Sequence, residues 1–133
     1  MTEEKAMKNQ VRILVLDDNV DVALGLAEIL ELHDYVVTVV HDGKSAVSAF
    51  TNGQIDLGLF DVRMPGMNGV EAFIEIRRRD PHATVLLMSG YADDEMIETA
   101  LKNGALGLLA KPFEPDELLS RLESAQTDPE AAH

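Results

Sequence analysis

A chain of 133 residues has room for one domain with a single buried core, and 46% hydrophobic with 26% charged residues describes an ordinary globular fold, not a disordered chain. The formal net charge of -13 argues against direct contact with nucleic acid or an anionic membrane surface, both of which need a basic patch. With no cysteine there is no disulfide framework, no thiolate nucleophile and no Cys-based zinc site.

The opening stretch "MTEEKAMKNQ" is too polar for a signal peptide, and no apolar run approaches membrane-spanning length, so a cytoplasmic protein is expected. Residues 1–10 are expected to form a flexible N-terminus and residues 11–125 the domain. The remaining 126–133 read as a frayed tail or the start of a linker.

"VRILVLDD" is a strand whose apolar run, Ile13 to Leu16, ends in two carboxylates. "NVDVALGLAEILELH" carries Ala23, Leu26, Ala27 and Leu30 at helical spacing, with Asn19 as N-cap. "YVVTVV" is the second strand. A short helix in "DGKSAVSAFTNG" turns Ala46, Val47 and Phe50 inward and closes at Gly53. "IDLGLF" is the third strand; after the "MPGMNG" turn, "VEAFIEIRRR" is a helix with Val70, Phe73 and Ile74 on one face. "TVLLM" is the fourth strand, followed by "ADDEMIETALKNG", with Met96, Ile97, Ala100 and Leu101 on one face and Gly104 as its stop. "LGLLA" is the weakest strand because it contains Gly107, and "EPDELLSRLESA" is the last helix, with Pro115 in its first turn. Five strands alternating with five helices predict an α/β fold with a parallel sheet covered on both faces.

Ligands of open parallel sheets collect at the carboxyl ends of the strands. The residues there are Asp17 and Asp18, Asp61, Ser89 and Lys111. A single strand-end aspartate is most often a helix cap or turn former, but the five together are a chemical set. Crowded carboxylates call for a bound cation or a raised pKa, and an all-oxygen site suits magnesium. Lys111 and Ser89 would add a positive charge and a hydroxyl for an anion beside the metal, which describes phosphoryl transfer to an aspartate.

"VLDDN", "LFDVRMPGMNG", "LLMSGYAD" and "LAKPF", in this order at these strand ends, resemble the receiver domain of two-component response regulators from about Arg12 to Ala125. The resemblance implies a flavodoxin-like (βα)5 fold with strand order 2-1-3-4-5. It makes Asp61 the phosphoacceptor and binds magnesium, or manganese, through Asp18, Asp61 and the backbone carbonyl of Arg63, with Asp17 acting through a water. Pro65 and Gly66 would keep the loop open so that the Arg63 carbonyl can face the metal. Ser89 takes the place of the switch hydroxyl, Lys111 contacts the phosphoryl group, and Lys111-Pro112 matches the family's cis peptide. Such a domain catalyses only its own phosphorylation and dephosphorylation and is not otherwise an enzyme. The implied donor is a sensor histidine kinase or a histidine phosphotransfer protein. The implied receiver of the signal is a downstream protein or fused output domain, read through the face of helix four, strand five and helix five. Homodimerisation through that face is a hypothesis the resemblance brings with it.

The family's usual aromatic three residues before the lysine is here Leu108. Tyr91 is the nearest aromatic that could serve as a switch residue instead.

Other readings fare worse. "GKS" at 43–45 lacks the glycine of a phosphate-binding loop, since Thr38 stands in its place. His33, His41, His82 and His133 show no metal-ligand spacing and read as surface residues, and the arginines at 77–79 read as a favourable helix end. An aspartate-based phosphatase would carry D-x-D after the first strand, not adjacent Asp17 and Asp18. A receiver-like interaction module that does not use phosphorylation is the remaining alternative.

Overall fold

The computed structural model describes residues 10–53, 55–90 and 95–127. In chain order these form β1 (Arg12–Leu16), α1 (Val20–Leu32), β2 (Val36–Val40), α2 (Gly43–Thr51), β3 (Leu57–Asp61), α3 (Gly69–Arg79), β4 (Val85–Ser89), α4 (Glu95–Lys102), β5 (Gly107–Ala110) and α5 (Pro115–Thr127). The five strands pair in parallel in the order β2-β1-β3-β4-β5, the expected doubly wound (βα)5 topology.

The apolar runs of β1, β3 and β4 follow from burial on both faces, because successive side chains of a strand point to opposite sides. Ile13 and Val15 of β1 pack with Ala23, Leu26 and Leu30 of α1 and with Leu118 and Leu122 of α5. Leu14 and Leu16 face the other way, onto a core that holds Val47 and Phe50 of α2, Phe73 and Ile76 of α3, and Ile97 of α4. Each fully buried large aliphatic side chain contributes about 1.5–3 kcal/mol of hydrophobic stabilisation. Two such cores hold the three central strands from both sides, which makes the sheet edge a stiff mount.

The caps start the helices close to that edge. Asn19 accepts from the Val22 amide at 3.2 Å and Asp42 from the Ser45 amide at 2.8 Å. Asn68 and Glu71 form a reciprocal capping box, with the Glu71 amide 2.9 Å from Asn68 Oδ1 and the Asn68 amide 3.0 Å from Glu71 Oε1.

The apolar faces of α3 and α4 pack on the core to different depths. On α4, Ile97 and Ala100 are buried, but Met96 is half-buried and Leu101 is 43% exposed. On α3, Ile74 is half-buried while Ala72 and Ile76 are completely buried. Both helices turn a narrower stripe to the sheet than their full apolar content suggests. Arg77 does more than end a helix: its guanidinium donates to the carbonyls of Ala83 at 3.0 Å and Gly104 at 3.1 Å, tying α3 to the chain before β4 and after α4.

α5 extends to Thr127, and Gln126 donates to the Tyr35 hydroxyl at 2.9 Å. The expectations for residues 1–9, for Tyr91 and for residues 128–133 lie outside the described residues.

Candidate functional site

Because every strand is parallel, all five carboxyl ends lie on one edge, and strand order decides which residues meet there. β1 and β3 are neighbours, which sets Asp17 and Asp18 beside Asp61. Carboxylate oxygens of these three lie within 4.8 Å of one another, the one such group of potential metal ligands among the described residues. Asp17 and Asp61 are buried and Asp18 is exposed.

β5 is two strands from β3, and the flexible stem of Lys111 bridges the gap. Its Nζ lies 3.1 Å from Asp17 Oδ2 and 3.5 Å from Asp61 Oδ1. Asp17 Oδ1 accepts from the Asn19 amide at 3.0 Å, so the turn into α1 also holds this carboxylate. Three carboxylates against one ammonium leave net negative charge in a partly dry site. The Asp61 carboxyl is accordingly pushed up to about 6 from 3.8, first by burial and then by the charges of Asp17 and Asp18, with Lys111 opposing. Oxygen donors with uncompensated negative charge fit a hard cation of the magnesium type.

Ser89 is fully buried at the end of β4, and its carbonyl accepts the Lys111 amide at 2.9 Å. The Lys111-Pro112 peptide is cis. Leu108 is half-buried and packs against the core on the side of α2, α3 and α4. Arg63 is exposed in the loop after β3, where Gly66 has φ 71°, a conformation that suits glycine. At Gly69 an added Cβ would collide with the backbone carbonyl of Asp61, so α3 can begin this close to the site only with glycine in its first position.

The sequence matches the response regulator receiver domain over residues 13–123. The chain belongs to the response regulator receiver family. This receiver domain is 32% identical over 116 residues to the chemotaxis protein CheY of Listeria monocytogenes, covering 86% of this chain and 98% of that one. It is 36% identical over 107 residues to the regulatory protein AtoC of Escherichia coli, covering 80% of this chain but spanning only 23% of AtoC. Among solved structures it resembles a CheY-like receiver domain protein from Methanospirillum hungatei, with TM-score 0.87, 26% identity and coverage of 94% of this chain and 100% of the other. Receiver domains are signalling domains, not enzymes in the ordinary sense, and bind magnesium at an acidic site. No helix among the described residues is long and apolar enough to cross a membrane.

A groove of about 290 Å³ between α2 and α3 is lined by Lys44, Val47, Ser48, Met67, Glu75 and Arg79, apart from the aspartates. Its arginine is already paired with Glu75 at 3.1 Å.

Two contacts of the receiver domain were not legible in spacing. His41 is exposed, as the sequence reading expects, and its Nδ1 lies 2.9 Å from the Asp17 carbonyl oxygen. Asn68 Nδ2 lies 3.2 Å from Met96 Sδ, linking the start of α3 to the first turn of α4. The first had a faint signal in that His41 directly follows a strand adjacent to β1; the second had none.

Proposed function

We infer that this receiver domain accepts a phosphoryl group on Asp61 from a sensor histidine kinase or a histidine phosphotransfer protein. The observation that carries this reading is the meeting of Asp17, Asp18 and Asp61 within 4.8 Å, with Lys111 Nζ between Asp17 and Asp61.

An Asp61 carboxylate oxygen attacks phosphorus, an acyl phosphate bond forms, and the bond from phosphorus to the donor breaks with its electron pair leaving on the donor. With its pKa at about 6, Asp61 is mostly ionised at neutral pH and has the lone pair the attack requires. Magnesium or manganese, held by Asp18, Asp61 and the Arg63 carbonyl, with Asp17 acting through a water, would supply positive charge to the phosphoryl oxygens. Lys111 orients the phosphoryl group and balances its charge.

Ser89 is the hydroxyl that answers the new charge by moving toward it, drawing the loop after β4 and altering the face of α4, β5 and α5. Leu108 cannot act as a rotating aromatic, which leaves Tyr91 as the candidate for that role. The changed face controls a partner protein or an output domain. The net charge of -13 weighs against direct nucleic-acid binding by this domain, which is taken to span residues 11–125 of a cytoplasmic protein.

Intact mass after incubation with acetyl phosphate, with and without magnesium, tests the reading on wild type and Asp61→Ala. A magnesium-dependent gain of one phosphoryl group that vanishes in the variant is expected. A gain that persists in Asp61→Ala moves the acceptor elsewhere, and no gain in any sample favours an interaction module that does not use phosphorylation.

A further inference from the structure

β2 ends at Val40, and the next side chain reaches back across the acidic edge. The Asp17 amide donates to the Val40 carbonyl at 3.2 Å, and the His41 ring then meets the Asp17 carbonyl at 2.9 Å. A carbonyl oxygen only accepts, so Nδ1 carries the proton and the imidazole is the donor. The ring therefore continues the β1–β2 ladder by one side-chain rung past the end of β2. His41 is held in turn by its own neighbours. Before it is the last paired residue of β2, and after it comes Asp42, whose carboxylate caps α2 through the Ser45 amide at 2.8 Å and the Ser45 hydroxyl at 2.9 Å.

This rung grips the plane of the peptide joining Asp17 to Asp18. The carboxylate of Asp17 has other restraints, from the Asn19 amide at 3.0 Å and Lys111 Nζ at 3.1 Å. Asp18 has none of that kind: it is exposed and makes no hydrogen bond of its own among the described residues, yet its carboxylate stands within 4.8 Å of the other two. Its aim is set by the backbone that carries it.

We propose that His41 is a positioning residue for the acidic site: by donating to the Asp17 carbonyl it holds the Asp17–Asp18 peptide plane and aims the Asp18 carboxylate at the cation the three aspartates share. The proposal rests on the reading of that site as a metal site. His41 touches neither cation nor phosphoryl group and acts only through the main chain. A loop tether with no bearing on the site would affect stability alone, whereas a positioning residue affects cation affinity.

Asparagine places its amide nitrogen as many bonds from Cα as histidine places Nδ1, and glutamine places it one bond further. Calorimetric titration with magnesium alone, on wild type, His41→Ala, His41→Asn and His41→Gln, uses this difference. His41→Ala and His41→Gln are expected to bind roughly tenfold more weakly than wild type, at the low end of what outer-shell partners contribute, and His41→Asn within about threefold of it. Equal affinity of His41→Ala and wild type overturns the proposal. So does equal affinity of the Asn and Gln variants, a comparison that stands even if the alanine variant fails to fold. Wild type that binds no magnesium overturns the metal reading itself and this inference with it, an outcome distinct from the other two.

Discussion

Lys111 Nζ lies 3.5 Å from Asp61 Oδ1, yet the Asp61 carboxyl is held at about 6 and not near 3.8. Burial and the neighbouring aspartates outweigh the lysine. Between those two values the folded protein keeps a proton that the unfolded chain releases, so stability falls as pH rises through this window and the whole loss is present above it. Asp61→Asn removes the ionisation, so in metal-free buffer it is expected to raise the melting temperature at about pH 7.5 and change it little at about pH 4. Thermal unfolding followed by circular dichroism checks this, and a variant less stable than wild type at the higher pH contradicts it.

Removing Lys111 should have the opposite effect. Lys111→Met leaves the Asp17 carboxylate, 1% exposed, without its ion-pair partner. The lysine side chain is itself 27% exposed, so solvent screens part of the interaction. The expected loss is about 1–3 kcal/mol, below the ~3–5 of a fully buried pair. Urea unfolding at neutral pH measures it, and an unchanged midpoint would show that the pair carries no net stability.

Two glycines near the site separate a steric demand from a conformational one. Gly69→Ala would press a methyl group onto the Asp61 carbonyl, and backbone cannot yield as a flexible side chain can. A loss of about 3 kcal/mol is expected, together with weaker magnesium binding. Gly66→Ala meets nothing within 4 Å and suffers only from its φ of 71°, an expected loss of about 1–2 kcal/mol. Denaturant midpoints of the two variants rank these effects, and a Gly66→Ala loss equal to or larger than that of Gly69→Ala refutes the ranking.

Ser89→Ala should separate acceptance from response. If Asp61 takes the phosphoryl group and Ser89 reports it, the variant still gains mass with acetyl phosphate. It should lose the phosphorylation-dependent change in amide exchange across β5 and α4. An exchange response equal to that of wild type would remove Ser89 from the switch.

The alternation of β-branched runs with helical spacing was enough to determine the order of elements, because strands buried on both faces read as unbroken apolar stretches. The strand-end residues Asp17, Asp18, Asp61, Ser89 and Lys111 stood out for the same reason: polar groups directly after such stretches mark the edge where a parallel sheet opens. The inward faces of α3 and α4 were less legible. Ile74, Met96 and Leu101 have the right chemistry and spacing, but how far each is buried depends on the angle at which a short helix meets a twisted sheet. Only the tertiary structure decided that Lys111 spans 94 positions of sequence to sit between Asp17 and Asp61, and that His41 donates to the carbonyl of Asp17. Periodicity reports which side of its own element a residue occupies. Contacts between elements depend on strand order and side-chain reach, which no local pattern of residues encodes.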